Sequence, residues 1–173
     1  MAAIAVASLV TIQTTPQYES KARLFVSTTP SGSGDAYSGS LFSAQRVTSY
    51  ADLVSGQELS RRVIDDLGLE MEPTELADKI SATVVPETVV IEIAVTDPSP
   101  EQAQLLTETV ADELTGFVAE LETPPGKTIA PIKATVVDAA SLPTAPVSPL
   151  PLRNLGLATI LGLLLGDVLE DFD

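Results

Sequence analysis

The sequence predicts an α+β fold, with a single mixed or antiparallel sheet of about four strands and helices packed on one face of that sheet. Two patterns indicate this class. Four segments alternate apolar and polar residues, which is the period of a half-buried strand, and other segments place apolar residues three or four positions apart, as one face of a helix does. Each element then has one apolar side, so strands and helices must bury one another. The strands are expected near Tyr18, Thr83, Ile91 and Ala134.

The strand segments differ in how they connect. The first covers residues 18–26 and turns Ser20, Ala22, Leu24 and Val26 to one side. Residues 81–85 and 88–95 are rich in β-branched side chains and are separated by Pro86-Glu87, which predicts an antiparallel hairpin buried on one side. Residues 132–138 form the last predicted strand.

Three predicted helices precede or interrupt these strands. Residues 36–54 carry apolar side chains at helical spacing, and a second helix follows, with a capping box of Ser55 and Glu58 at its start and Gly68 at its end. A short helix can occupy residues 73–80, beginning at Pro73 with Thr74 close behind. Arg46, Arg61 and Arg62 are expected on exposed faces, solvated or paired with acids such as Asp65.

The longest predicted helix has the clearest start signal in the chain. Ser99 is the expected N-cap, Pro100 the first helical residue, and Gln102 the partner that completes a capping box. The apolar side of this helix is expected to run for about six turns before residues 123–126 (Thr-Pro-Pro-Gly) end it. Its members are Ala103, Leu106, Val110, Leu114, Phe117 and Leu121.

Composition restricts the chemistry. The chain has 173 residues, with 9 basic and 24 acidic side chains and a net charge of −15, which argues against nucleic acid as a partner. It contains no Cys and no His, which excludes thiol catalysis, imidazole acid–base chemistry and zinc sites of the Cys/His type. No phosphate-binding loop is present, because Gly32-Ser33-Gly34 is followed by no lysine. We therefore expect no enzymatic activity, no catalytic residue, no cofactor and no bound metal.

The remaining acidic groups allow one alternative. Asp65-Asp66, Asp112-Glu113 and Glu120-x-Glu122 are the only local carboxylate groups that could suggest acid–base catalysis, which needs two carboxylates with separated pKa values in a cleft. They fall mostly on the polar faces of predicted helices, so solvated surface is the favoured interpretation. A cation-bridging role stays open.

A proline-rich segment, residues 142–154, leads away from the last strand and is called the proline strut below. Pro143, Pro146 and Pro149 fix their φ angles and lack backbone donors, so the strut can be neither helix nor central strand and is expected to be extended and semi-rigid. The apolar run 155–166 follows, with Ala158, Gly162 and Gly166 on one side of a predicted helix, where another helix could pack closely.

The order Pro-x-x-Pro-x-Ser-Pro, which contains Ser148, then Arg153-Asn154 and a glycine-bearing apolar run, resembles the segment before the second transmembrane helix of the Wzz-type chain-length determinants, or polysaccharide co-polymerases. The opening of the chain resembles the exit from the first transmembrane helix of that family. Only the short segment 123–131 stands where many Gram-negative members have a long helical hairpin, so the resemblance is to compact Gram-positive and actinobacterial members.

The resemblance implies a division of the chain. Residues 1–12 would be the trailing part of a first transmembrane helix, 13–141 an extracytoplasmic chain-length determinant domain, 155–166 the start of a second transmembrane helix, and 167–173 an acidic tail. Residues 1–12 could instead be a short buried strand or helix, since neither apolar end is long enough to span a bilayer of about 30 Å. The acidic tail also departs from the basic residues expected on the cytoplasmic side.

The same resemblance implies a function. It predicts a non-catalytic homo-oligomer in the plasma membrane that regulates the chain length or export of capsule or exopolysaccharide, with the polymerase and export machinery as partners. The alternative is the N-terminal part of a bacterial tyrosine autokinase, acting as the transmembrane activator of its cytoplasmic kinase. A soluble α+β enzyme is a third class. Because the last strand leads directly into the proline strut, both ends of the domain are expected on one side, facing the membrane.

Overall fold

The structure is a computed structural model, and it describes residues 14–28, 46–126 and 130–149, together with Gly156. Its strands are β1 (Tyr18–Thr28), β2 (Ile80–Val84), β3 (Val90–Asp97) and β4 (Ile132–Asp138). Its helices are α1 (residues 46–54), α2 (Gln57–Leu67), α3 (Pro73–Lys79) and α4 (Pro100–Glu122). The predicted α+β class is confirmed. The predicted helix over 36–54 is described only from residue 46, and the short helix ends at Lys79 because Ile80 already belongs to β2.

All four described strands form one antiparallel sheet in the order β2-β3-β1-β4. The predicted hairpin of β2 and β3 is present, with Ala82 opposite Ile93. β1 lies between β3 and β4, and Leu24 faces Ile91 on one side and Val136 on the other. The strands near Tyr18, Thr83, Ile91 and Ala134 therefore share one sheet, as expected, and no pair among them is parallel.

One face of the sheet is covered by helices. The inward side chains of β1 (Ala22, Leu24 and Val26) are almost fully buried, and α4 packs across β1, β3 and β4. Full burial of one such aliphatic side chain is worth about 1.5 to 3 kcal/mol, so this layer supplies much of the stability. The helices α2 and α3 complete the core through Leu59 and Leu76, which are both fully buried.

The predicted one-sided burial of the hairpin is wrong at Ala94. This residue points to the outer face but is only 8% exposed. Its neighbours in register are Lys21 on β1 and Ser81 on β2. A methyl side chain with a paired strand on each side projects little into solvent, which explains the burial.

The predicted capping box at the start of α2 is wrong. The N-cap is Gly56, not Ser55, and no side chain caps this end. The Glu58 carboxylate pairs instead with Arg61 and Arg62 one turn on. The reason lies in the connection between α1 and α2: the Gly56 N–H donates to the Leu53 carbonyl at 3.0 Å, and a Cβ at position 56 would lie 2.9 Å from that oxygen. Gly68 ends the helix with φ 62°, as predicted.

At the start of α4 the predicted cap is half right. Ser99 is the N-cap and its side chain accepts from the Gln102 N–H at 3.2 Å, with Pro100 in the first turn. In a capping box, a second side chain accepts from the N–H of the N-cap residue. Here that acceptor is Asp97 rather than Gln102, since the Ser99 N–H donates to Asp97 Oδ1 at 2.9 Å. Asp97 Oδ2 also accepts from Lys79 Nζ at 3.1 Å. This carboxylate therefore joins β3, α3 and α4.

The last turns of α4 also differ from the prediction. Leu121 is 53% exposed, whereas Val118 is fully buried. At about 100° per residue, position 121 lies on the same side of the helix as positions 110 and 114, so its exposure comes from its place in the last turn of α4 rather than from its rotation about the helix axis. Phe117 is only partly buried, and the Arg62 guanidinium lies 4.5 Å from its ring centroid.

The arginines of α1 and α2 hold these helices to α4. Arg62 Nη2 lies 2.9 Å from Glu120 Oε2, and Arg46 pairs with Glu122. Tyr50 Oη donates to the same Glu122 carboxylate at 2.7 Å. The expected ion pairs with acids are present, with Glu58, Glu120 and Glu122 as the partners rather than Asp65. The bonds to Glu120 and Glu122 attach both helices to the C-terminal half of α4.

We predict opposite stability changes for the same substitution at two glycines. Gly56→Ala places a Cβ against a backbone oxygen that cannot move aside, so we expect a loss of about 1 to 3 kcal/mol. Gly116→Ala, in the middle of α4 with nothing within 4 Å of the added Cβ, should gain about 1 kcal/mol from helix propensity. Urea unfolding of both variants measures this, and changes of equal sign would contradict the described geometry.

We also predict an alkaline transition centred on Tyr50. Burial and the hydrogen bond to Glu122 raise the pKa of Tyr50 from 10 to about 12. The folded state keeps this proton longer than the unfolded chain, so the stabilisation is complete below pH 10 and declines as pH rises from 10 to about 12.

The measurement is urea unfolding of the wild type and Tyr50→Phe across this pH range. The wild type should be the more stable below pH 10 by about 1 kcal/mol, because the phenol donates to a carboxylate, and this advantage should shrink above it. Stability curves that stay parallel through this range would show that Tyr50 is not the titrating group.

Candidate functional site

The proline strut is described from Leu142 to Pro149, and this part contains neither helix nor strand apart from one bridge at Ser148. Pro146 and Ser148 are exposed, and Pro143 and Pro149 are half-buried. Asn154, Ala158, Gly162 and Gly166 lie outside the described residues, as do residues 1–12 and the acidic tail 167–173. Four of the eight candidate positions can therefore be placed.

The strut pairs with the residue that precedes β1. The Gln17 N–H donates to the Ser148 carbonyl at 2.9 Å, and the Val147 N–H donates to the Gln17 carbonyl at 2.7 Å. These two bonds form an isolated antiparallel bridge, called the terminal bridge below. The residue before β1 and the strut therefore lie side by side, which agrees with the expectation that both ends of the domain are on one side.

Two side chains fix the segment between β4 and the strut. Ser20 Oγ donates to the Ser141 carbonyl at 2.9 Å, and Gln104 Nε2 donates to the Ala140 carbonyl at 3.0 Å. Ser20 is fully buried on the inward side of β1. A buried hydroxyl without a partner costs about 1 to 3 kcal/mol, so the bond to Ser141 holds the start of the strut at a defined place.

The terminal bridge lies at one end of the sheet. β1 begins there and β3 and β4 end there, since Tyr18 faces Asp97 and both neighbours of β1 are antiparallel to it. α4 starts at the same end, where Asp97 bonds the N-cap Ser99. The strut thus leaves the domain beside a hydrogen-bonded junction of strands and helix rather than from a loose loop.

Sequence reasoning located the strut but missed the residues that hold it. Gln17 and Gln104 have no distinguishing pattern, because a backbone pairing and a glutamine on a half-polar helix look like ordinary surface. Ser20 did carry a signal. It was assigned to the inward side of β1 among Ala22, Leu24 and Val26, and a hydroxyl placed there needs a partner.

The carboxylate groups considered for catalysis lie on the helices. Asp65, Asp66 and Asp112 are exposed, while Glu120 and Glu122 are paired with arginines. The hydrogen bond and charge of Arg62 lower the pKa of Glu120. Within the part of the chain that the structure describes, no group of three or more acidic side chains is arranged to hold a metal ion.

The membrane segments implied by the resemblance fall on residues without a described placement. Of the run 155–166, Gly156 alone is described, as exposed and helical. No helix within the described ranges is long and apolar enough to cross a membrane.

No protein-family model matches this chain. It is 27% identical over 171 aligned positions to the capsular polysaccharide biosynthesis protein CpsC of Streptococcus agalactiae, covering 91% of this chain and 69% of that protein. The CpsC of Streptococcus pneumoniae is 27% identical, with 87% and 62% covered. The probable capsular polysaccharide biosynthesis protein YwqC of Bacillus subtilis is also 27% identical, with 86% and 58% covered. The chain is thus similar to proteins named for capsular polysaccharide biosynthesis.

Proposed function

We propose that this chain is the extracytoplasmic domain, with partial membrane segments, of a non-catalytic regulator of capsule or exopolysaccharide chain length or export that acts as an oligomer in the plasma membrane. The observation that carries the proposal is the terminal bridge between Gln17 and residues 147–148. The similarity to capsular polysaccharide biosynthesis proteins along 86 to 91% of the chain also supports the proposal. Because the chain spans 58 to 69% of those relatives, the activity of the whole protein is part of the proposal.

The terminal bridge supports anchoring from one side. A domain whose two flanks emerge in adjacent, paired backbones can be held by two segments that enter the same membrane at neighbouring points. The prolines of the strut limit the angles through which the domain can turn. The hydrogen bonds of Ser20 and Gln104 to residues 140–141 fix the point from which the strut departs. A change in the sheet would then be transmitted to the membrane segments rather than absorbed by a flexible linker.

The state of the acidic groups supports a non-catalytic role. An acid catalyst at neutral pH needs a carboxyl group with a raised pKa, whereas the arginines lower the pKa of both Glu92 and Glu120. The chain also has no Cys or His to act as nucleophile or base. The proposed mechanism is therefore mechanical: the oligomer engages the polymerase and export machinery, and the strut sets the position of the domain above the membrane.

We predict that breaking the terminal bridge changes polymer length without unfolding the domain. Val147→Pro removes the N–H that donates to Gln17, at a cost of about 1 kcal/mol because the bond is solvent-exposed. The full-length gene with this substitution replaces the native one in its host, and surface polysaccharide is separated by size on a gel. We expect a shifted length distribution at normal protein level.

The matched control is Ala145→Pro, two residues earlier in the same strut. The described part of the chain offers the Ala145 N–H no hydrogen-bond partner, so the added proline stiffens the strut without removing a bond. We expect this variant to keep the native distribution. A native distribution in Val147→Pro as well, with normal protein level, would refute the proposed role of the terminal bridge. Polysaccharide of native length with lost tyrosine phosphorylation of a kinase would favour the autokinase alternative instead.

A further inference from the structure

The face of the sheet opposite α4 is polar, and no described helix covers it. We call it the open sheet face and define it by the outward side chains of its strands. Those that matter here are Glu19, Lys21, Arg23 and Phe25 on β1, Glu92 on β3, and Lys133 and Asp138 on β4. Its three basic and three acidic groups cancel in formal charge. The chain as a whole carries −15, so this face is a neutral area on an acidic protein.

Ion pairs hold the centre of the open sheet face together. Arg23 Nη2 lies 2.8 Å from Glu92 Oε2, and Lys21 Nζ lies 3.3 Å from Glu92 Oε1 and 3.2 Å from Glu19 Oε1. Arg23 Nη1 reaches Asp138 Oδ2 only at 3.8 Å, and the Asp138 side chain is 66% exposed. Both oxygens of Glu92 are engaged by its two basic partners, while Asp138 and the second edge of the Arg23 guanidinium keep more hydrogen-bonding capacity for a ligand.

These side chains line a shallow cavity of about 310 Å³. It is bounded by Lys21, Arg23, Glu92, Asp138, Ala139 and Ser141. Phe25 follows Arg23 on the same side of β1, about 7 Å along the strand, and is 42% exposed. The basic donors and the aromatic ring lie on β1 and the acceptor Asp138 on the adjacent β4, so all three share one face of the sheet. The cavity beside Arg23 and Asp138 has room for a single sugar unit, and Phe25 lies next to it along β1.

We propose that the open sheet face binds an uncharged, hydroxyl-rich stretch of polysaccharide, with Arg23 and Asp138 hydrogen-bonding sugar hydroxyls and Phe25 packing against the apolar side of a ring. This inference rests on the proposed function, for which it names the ligand surface. A neutral sugar fits best because the local charges already cancel and an acidic chain repels polyanions. Sugar hydroxyls both donate and accept, which suits an arginine beside a loosely paired carboxylate.

The test is amide chemical-shift mapping on the full chain labelled with nitrogen-15. The probes are neutral hexasaccharides of glucose and of galactose, and a hexasaccharide that contains glucuronate. We expect saturable shifts on β1, β3 and β4 with at least one neutral probe, and weaker binding of the acidic probe. Arg23→Ala should weaken binding about tenfold, since it removes hydrogen bonds to a charged group. Phe25→Ala should also weaken it.

Matched controls lie on the helices. Arg61→Ala removes an arginine of similar exposure, 54% against 50% for Arg23, from a surface ion pair with Glu58. Leu121→Ala removes an apolar side chain that is 53% exposed. Both controls should bind like the wild type. The inference is overturned if no neutral probe gives saturable shifts, if the shifts lie on α2 or α4, or if the same face shifts with protein concentration alone, which would indicate a second copy as its occupant.

The experiments distinguish failure of the proposed function from failure of the proposed ligand surface. If Arg23→Ala loses sugar binding but Val147→Pro leaves polymer length native, the ligand surface stands and the role of the terminal bridge does not. If Val147→Pro alters polymer length but no probe binds the wild type, the proposed function stands without this surface.

Discussion

The burial of β1 is the interaction on which the rest of the structure depends. β1 pairs on both edges, with β3 and with β4, and its inward residues Ala22, Leu24 and Val26 lie beneath α4. The same strand contributes Ser20 to hold residue 141, and Gln17 just before it forms the terminal bridge. Its outward residues form the centre of the open sheet face. A strand that joins two neighbours, a helix and the strut cannot shift without moving all of them.

This arrangement connects the open sheet face with the strut, so the two could act together. Ser20 and Lys21 are neighbours on β1, one facing the core and the strut and the other facing the ion pairs on the opposite side of the sheet. Ser141 belongs to both regions, since its carbonyl accepts from Ser20 and the residue lines the cavity beside Arg23. A ligand that repositioned residues 138–141 would therefore act directly on the start of the strut. The connection from the open sheet face to the strut is short, and it consists of one strand and hydrogen bonds, which are stiff.

Strands and helices whose apolar residues repeat at a regular spacing could be predicted from the sequence. Helix caps, where two residues compete for one hydrogen bond, could not. The four strands, the hairpin and α4 follow from many residues that agree with one another, so one mistaken position does not matter. The caps of α2 and α4 depended on one or two bonds, and there Gly56 and Asp97 outcompeted Ser55 and Gln102. Leu121 was misassigned because its spacing matches the buried side of the helix, while its exposure comes from its place in the last turn of α4, which spacing does not show. The strut was readable from its prolines, but its partners at Gln17 and Gln104 form bonds between distant parts of the chain, which local sequence does not encode.

If the domain is anchored at a membrane as proposed, its distribution of charge gives the strut a physical reason to be stiff. Of the basic residues that the structure describes, all except Lys133 form ion pairs, so most of the described acids on the helices and loops have no basic partner. An acidic domain beside anionic headgroups is repelled over about one Debye length, roughly 8 Å at physiological salt. A flexible linker would let that repulsion tilt an anchored domain freely, whereas a proline-rich segment fixed by Ser20 and by the terminal bridge would convert it into a defined separation. Under the proposed anchoring, the negative charge and the strut would act together to keep the domain at a defined distance from the membrane.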